Sequence, residues 1–200
     1  MSASRIVLLR HGQTDFNMQR RFQGRIDKPL NDAGRSQAAG AAGVLVSRLC
    51  EPSAEVGMIA AETHRSYDDG GVRIVCSPLG RARETARILA RVFDIAGYPC
   101  EGPMPDERLT ERFYGTFEGK TYEEIAREQP EAYSEYRDTG ECVGAEVERS
   151  EVVGERFRDA VLEAAAACPA DRSLIVVSHG SAIARGVVSL LGLDPADFNG

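Results

Sequence analysis

The chain has 200 residues, 42% of them hydrophobic and 28% charged, the balance of one soluble globular domain long enough to bury its own core without metals or disulfide staples. Disordered, collagen-like and cysteine-stapled architectures are excluded. Lys plus Arg number 24 against 31 Asp plus Glu, a formal charge of −7, which argues against nucleic-acid polymers and anionic membranes as partners but leaves room for a narrow anion pocket.

The first element is the apolar run Ile6-Val7-Leu8-Leu9 within Arg5 to Arg10, the pattern of a strand buried on both faces of a parallel sheet. It leads directly into Arg10-His11-Gly12-Gln13-Thr14. Ala38, Ala41, Leu45 and Leu49 then recur at helical spacing behind Asn31, a residue suited to cap the free first-turn N–H groups. Glu51 to Gly71 is polar and contains Asp68-Asp69-Gly70-Gly71; at about four times the usual loop length it reads as an insertion, and His64 within it as an exposed, inert imidazole. Val72 to Cys76 is a shorter strand, stopped by Ser77-Pro78 because proline cannot donate to a ladder. Leu79, Ala82, Ala86, Leu89 and Phe93 predict a helix with Arg81 in its first turn and Arg83 in solvent. The stretches Arg112 to Tyr136 and Thr139 to Arg149 read as irregular segments. Val153, Phe157, Ala160 and Ala164 predict a helix capped by Ser150. Leu174 to Val177 repeats the buried-strand pattern and runs into Ser178-His179-Gly180-Ser181, and Ile183, Val187 and Leu190 mark a last helix. Strands alternating with helices predict a layered α/β sheet.

The chain has three histidines, and two of them, His11 and His179, sit at strand ends. In open α/β sheets ligands bind beyond the carboxyl ends of the strands, so topology alone places both imidazoles at the default site. Each is followed by glycine, which lets a backbone N–H approach a ligand closely. Arg81 arrives at the same edge, and Arg10, Arg21 and Arg81 are expected to converge on one pocket. Guanidinium forks and helix N-termini both suit a phosphate.

Competing chemistries fit less well. Gly115 to Thr121 ends in Gly-Lys-Thr, but only three residues separate Gly115 from Gly119 and no strand precedes it, so it is not a phosphate-binding P-loop. Ser178 and His179 are adjacent on a strand and face opposite ways, which rules out a serine nucleophile with its base. Arginines interleaved with the histidines would repel a metal cation. Glu146, Glu148, Glu151 and Glu155 read as a solvated helix face. The five cysteines are scattered without a Cys-x-x-Cys pair, which fits a reducing, cytoplasmic setting and speaks against a thiolate zinc site. No apolar stretch approaches the roughly 18 residues of a membrane span, and the first run is too short for a signal-peptide core.

The motifs taken together resemble the histidine phosphatase superfamily, the phosphoglycerate mutase-like family. They are Arg10-His11-Gly12-Gln13-Thr14 with Asn17; Arg21-Phe22-Gln23-Gly24 with Asp27, Pro29-Leu30 and Gly34; Ser77-Pro78-Leu79-Gly80-Arg81-Ala82 with Thr85-Ala86; Leu109-Thr110-Glu111; and Ser178-His179-Gly180. They follow the family's order over nearly the whole chain. The resemblance implies a three-layer α/β/α sandwich with a mainly parallel central sheet, spanning residues 1–200 as one domain, and no metal or other cofactor. It implies that His11 is the nucleophile, forming a phosphohistidine, that Arg10, Arg81 and His179 hold the phosphoryl group, and that Glu111 is the proton donor, with Glu107 as the alternative carboxylate. Thr14, Asn17, Arg21, Gln23, Gly24, Arg112, Tyr114, Gly180 and Ser181 are expected to contact the substrate. Thr116-Phe117-Glu118-Gly119-Lys120-Thr121 resembles the small phosphatase branch, the adjacent arginine pair and proline-rich stretch of the mutases are not found, and Ser181 stands where mutases usually have asparagine. A phosphatase acting on a small phosphorylated metabolite is therefore the expectation, a bisphosphoglycerate-dependent mutase the alternative, and a non-catalytic phospholigand-binding protein the third reading. Among phosphatases of this branch substrates range over phosphorylated sugars, glycerates and nucleotides, chosen by the segments at about 112–149. A homodimer is the one macromolecular assembly allowed for. Family members also usually continue past the position of Gly200 with a segment that adds an edge strand.

Overall fold

The computed structural model describes residues 3–50 and 70–193, so the insertion at 51–71, with His64, lies outside the described residues except for Gly70 and Gly71. Among the described residues four strands form one parallel sheet: β1 (Arg5–Arg10), β2 (Val72–Cys76), β3 (Cys100–Pro105) and β4 (Ser173–Ser178), in the spatial order β1-β4-β2-β3. Alternate side chains of the inner strands serve two cores. Ile74, Cys76, Ile175 and Val177 pack against helices α2 (Asp32–Cys50) and α3 (Gly80–Ile95), through Ala42, Ala86, Leu89 and Phe93. Leu174, Val176 and Val75 pack on the other face against α6 (Ser150–Ala167) and α7 (Gly180–Leu191), through Phe157, Val161 and Ala182. Helices on both faces of a parallel sheet make the α/β/α sandwich expected from the sequence.

Several local expectations need correction. β4 is buried along its whole length, as its apolar run demands, but β1 lies at the sheet edge with Ile6 45% exposed. An apolar run reports affinity for a sheet; it does not report which strands become central. β3 had no apolar run to betray it, because Gly102, Pro103 and Pro105 read as loop; an edge strand tolerates proline since one side of its ladder needs no partner. Ser150 does not cap α6. It is the first helical residue, its N–H donating to the Glu141 carboxylate at 2.9 Å, and Arg149 occupies the cap position without a side-chain bond. Glu146 and Glu148 precede that helix, and Glu148 accepts from Arg156 and from the Phe113 N–H in place of facing solvent. Asn31 caps α2 as expected, accepting the Gly34 N–H at 2.9 Å.

The segment expected to be irregular contains α4 (Tyr122–Glu128) and α5 (Pro130–Thr139). Thr121 and Glu124 form a reciprocal capping box at the start of α4, Pro130 opens α5, and Gly140 closes it in the left-handed conformation. With the 112–118 turn and the 141–149 loop these helices build a cap with its own small core of Phe22, Phe117, Ile125, Cys142, Ala145 and Val147. A short helix, α1 (Asp15–Met18), lies between β1 and α2. Among the described residues no helix is long and apolar enough to cross a membrane.

Candidate active site

Arg10 pairs with Ser178 at the parallel ends of β1 and β4, so the next residues, His11 and His179, emerge side by side. Their ring centroids are 5.0 Å apart, edge to face. β2 ends on the other flank of β4, which brings Ser77 to His179 and carries the chain into the first turn of α3 and Arg81. The crevice expected at the carboxyl ends of the strands opens here as a cavity of about 620 Å³ lined by Arg10, His11, Gln23, Arg81, Glu111 and the cap residues above them.

The His11 ring is oriented from both nitrogens. Nδ1 lies 2.6 Å from the Gly12 carbonyl, which can only accept, so Nδ1 carries the proton. Nε2 is left with the lone pair and accepts from Arg81 Nε at 3.2 Å. Burial, then the Arg81 charge and more weakly Arg10, outweigh the Gly12 carbonyl and lower the His11 pKa from 6.5 to about 3. The imidazole is therefore neutral at physiological pH, with its nucleophilic nitrogen turned to a guanidinium. Arg81 is itself almost fully buried and is aimed by main-chain oxygens, donating to Gly24 at 2.7 Å and to Ile26 at 3.0 Å, with Asp27 at 3.5 Å.

Among the described residues, buried side-chain nitrogens of His179 and Gln23 have no hydrogen-bond partner. His179 Nε2 lies 2.7 Å from the Ser77 hydroxyl, which also accepts the Leu79 N–H at 3.3 Å; when the Ser77 proton is directed to Nε2, the neutral ring bears its hydrogen on Nδ1. This Nδ1–H is unsatisfied, as is the Gln23 side-chain NH₂. Burial first, then Arg81, His11 and Arg10, drive the His179 pKa well below its ordinary value. Gln23 lines the cavity and can meet a phosphate placed against Arg10 and Arg81, whereas His179 lies behind the lining with its ring against His11; leaving either group buried and unpaired is costly.

Glu111 closes the cavity on the far side. Its Oε1 accepts the Arg112 N–H at 2.8 Å and the Ala182 N–H at 2.9 Å, while Oε2 has one longer contact, 3.3 Å from the Ser181 N–H. The carboxyl thus sits on the N-terminus of α7. Burial raises its pKa above the usual carboxylate range against these amides and the Arg81 charge, and the loosely held Oε2 is the oxygen that can carry a proton. Glu107 is exposed and does not line the cavity.

The other sequence-predicted residues divide. Asn17, Gln23, Gly24, Tyr114, Gly180 and Ser181 line the cavity. Arg21 lines it together with Arg10 and Arg81, as expected, but its guanidinium is bound to Glu124 at 2.6 Å and to the Gly119 carbonyl, so it also fastens the cap. Arg112 lies outside the lining: it is fully buried, paired with Glu141 at 2.7 Å, bonded to the Glu148 carbonyl and set beside the Tyr114 and Tyr136 rings. Thr14 is likewise behind the wall, its hydroxyl donating to Gln23 and capping α1. Gly12 does not offer its N–H to the cavity, since that group donates to Thr85; glycine is required because a Cβ there would meet the Gly34 carbonyl at 2.2 Å. Sequence reasoning missed Arg20, Tyr122, Tyr136 and Arg185, all in the lining. Of these only Arg185 left a signal, lying four residues after Ser181 on α7 and so on the same helix face. It also missed Arg156, which holds the loop to Glu111 through the Arg108, Thr110 and Glu111 carbonyls.

Comparison with known proteins adds to the geometry. The family model described as histidine phosphatase superfamily (branch 1) matches residues 6–52 and 55–200. The chain is 34% identical over 203 residues to a glucosyl-3-phosphoglycerate phosphatase of Mycolicibacterium vanbaalenii, covering 98% of this chain and 78% of that one. It is 31% identical to a probable phosphoglycerate mutase GpmB of Yersinia enterocolitica, covering 95% and 76%. Among solved structures, a mycobacterial glucosyl-3-phosphoglycerate phosphatase in complex with VO3 superimposes with a TM-score of 0.75 at 33% identity, covering 98% of this chain and 86% of that one. On motif order, fold and these relationships, the chain belongs to branch 1 of the histidine phosphatase superfamily and is a phosphoric monoester hydrolase of that type.

Proposed function

We propose that the chain hydrolyses the phosphate monoester of a glycosylated glycerate, with His11 as nucleophile. The observation that carries the mechanism is the neutral His11 ring with Nε2 as its lone-pair nitrogen beside Arg81. Nε2 attacks phosphorus as the ester P–O bond breaks, and Glu111 gives its proton to the leaving oxygen. Water then attacks the phosphohistidine, Glu111 takes its proton, the P–N bond breaks and phosphate leaves with the Nε2 lone pair restored. Arg10, Arg81 and the Gln23 NH₂ bind the nonbridging oxygens, with the His179 ring set against His11 behind the lining. Each cation about 4 Å from the phosphate contributes roughly 4 kcal/mol at an effective dielectric near 20, and the Glu111 pKa rises further beside the bound dianion.

Three features support the substrate class. The cavity of about 620 Å³ is much larger than a phosphate. Tyr114, Tyr122 and Tyr136 form an aromatic wall against which a sugar face can lie, and Arg20 and Arg185 bring positive charge suited to a carboxylate. Relatives at 34% and 32% identity are named glucosyl-3-phosphoglycerate phosphatases. Free thiols at Cys76, Cys100, Cys142 and Cys168 suit a reducing, cytoplasmic compartment.

The test follows inorganic phosphate and positional isomers from glucosyl-3-phosphoglycerate, 3-phosphoglycerate and p-nitrophenyl phosphate, with and without EDTA. We expect phosphate release, highest kcat/KM on the glycosylated ester, no effect of EDTA, and loss of turnover in His11→Ala. Isomer formation without release would make the chain a mutase, and equal efficiency on 3-phosphoglycerate would remove the sugar from the substrate class. A Glu111→Gln variant that keeps full activity on the alkyl ester would sink the acid role.

A further inference from the structure

Arg81 owes its aim at His11 to the Gln23–Asp27 turn, whose Gly24 and Ile26 carbonyls bind the two terminal guanidinium nitrogens. That turn is not part of the sheet and lacks a regular element of its own. A carboxylate from the cap fastens it: Glu118 Oε1 accepts the Arg25 N–H at 2.8 Å and Oε2 the Ile26 N–H at 3.2 Å, the latter shared with the Gln23 carbonyl at 2.9 Å, while Asp27 ties the far end of the turn to the Gly80 N–H at 2.7 Å. Oε1 also accepts the Tyr114 N–H at 3.2 Å, which joins the same carboxylate to the strand of chain that descends from Glu111. Gly24 has φ +47°, and a Cβ there would fall 1.8 Å from Glu118 Oε1, so the turn and the carboxylate are fitted to each other without room for a side chain. The turn gives two carbonyls to Arg81 and two amides to Glu118, with its peptide dipoles oriented by opposite charges at either end.

We propose that Glu118 is the positioning residue for Arg81. It locks the 24–26 turn so that its carbonyls hold the guanidinium with Nε against His11 Nε2 and with the rest of its field over the phosphoryl site. This rests on the assignment of His11 and Arg81 to phosphoryl transfer, and it adds a residue that never touches the substrate. When Glu118 is removed, the Arg25 amide turns to water and the Ile26 amide keeps only the Gln23 carbonyl, so the Gly24 and Ile26 carbonyls are held less closely and Arg81 can follow them. Its charge remains in the cavity, but its fit to the transition state is lost. Substrate binding should therefore suffer less than turnover.

The test compares Glu118→Ala and Glu118→Gln with wild type and with a surface control, Glu163→Gln, using p-nitrophenyl phosphate and 3-phosphoglycerate, inorganic vanadate and inorganic phosphate as inhibitors, and thermal melting by circular dichroism. p-Nitrophenolate leaves without a proton, so that ester reports Arg81 and His11 while 3-phosphoglycerate also reports Glu111. We expect Glu118→Ala to lose about 10- to 100-fold in kcat on both esters with KM changed less than about threefold, and vanadate to weaken in step with kcat while phosphate weakens less. Glu118→Gln should recover part of kcat, because its carbonyl can still accept from Arg25 and Tyr114 while its NH₂ faces the Ile26 N–H. Wild-type kcat in Glu118→Ala, a rise in KM alone, or a loss confined to 3-phosphoglycerate overturns the proposal, the last by moving Glu118 to the acid. Loss of the folded state in both variants also overturns it, making Glu118 a folding determinant. Failure of wild type to hydrolyse either ester would instead count against the phosphoryl-transfer assignment itself.

Discussion

At the sheet end of the cavity His179 is wholly buried among the ends of β1, β2 and β4, and every residue of β4 is inaccessible; at the cap end Tyr122 is 47% exposed and the local core is a handful of side chains around Phe22 and Phe117. The first region is set by parallel ladders and two apolar layers, so its histidines are placed by backbone register. The second is sewn together by ion pairs and capping bonds, among them Arg21 to Glu124, Lys120 to Glu128 and Arg112 to Glu141. The nucleophile, Arg10 and His179 thus belong to the part with the most cooperative support, the turn that carries Gln23 and aims Arg81 joins the two parts, and the walls that select the rest of the substrate belong to the part with the least. Rigid placement of charge is what transition-state stabilisation requires, whereas substrate choice can be altered in the cap without disturbing the sheet.

The contrast can be broken in four ways. The largest effect is expected from His11→Ala, which should lower phosphate release by about 10³-fold or more while leaving cap and sheet folded, as read by activity and circular dichroism. Next, Arg112→Met removes a fully buried cation whose partner Glu141 is about one-third exposed, and should cost about 3 kcal/mol in urea unfolding. It should also loosen the Tyr114 and Tyr136 wall, raising KM more than it lowers kcat. If it left stability unchanged, the cap would owe its hold to its apolar cluster alone.

The third concerns pH. Because the folded pKa of His11, about 3, lies below the ordinary 6.5, the unfolded chain binds more protons between these values; stability is complete above pH 6.5 and falls as pH drops toward 3. His179, shifted the same way, adds to the loss, and Glu111, whose folded pKa is raised, opposes it. For His11 alone the loss amounts to about 2 kcal/mol by pH 5, so His11→Asn should lose about that much less than wild type between pH 7 and 5 in urea melts. The same shift predicts that the acid limb of kcat/KM is not set by the nucleophile. Smallest is Arg21→Ala, an ion pair whose side chains are 29% and 31% exposed: it should cost under about 1 kcal/mol and change KM less than about threefold. A tenfold rise in KM would return Arg21 to the substrate.

Much of the sheet-built half was legible because its signals are local. Apolar runs mark β1 and β4, Ser77-Pro78 marks the end of β2, and the residues just past those ends are the site. The cap was less legible. Its helices α4 and α5 bury little, Ile125 being the one inaccessible side chain of α4 and none being buried in α5, so periodicity was faint, and their signals were the capping box at Thr121 and the glycine at Gly140.

What the amino-acid sequence determined by itself was the pair of strand-end histidines, the arginine in the first turn of α3, the carboxylate at Glu111 and the α/β layering that brings them to one edge. The strand ends, the helix start and the layering follow from short-range preference and the chirality of parallel sheets, while Glu111 was marked by the resemblance of Leu109-Thr110-Glu111 to the family's motif. What only the tertiary structure decided was the strand order that leaves β1 at the edge, the capture of Arg21 by Glu124 across 103 positions of sequence, the burial of Arg112 behind the cavity, and the clamp of Glu118 on the turn that aims Arg81. These depend on which of many similar charges meet in space, and a charged side chain is free to find any partner its backbone brings within reach.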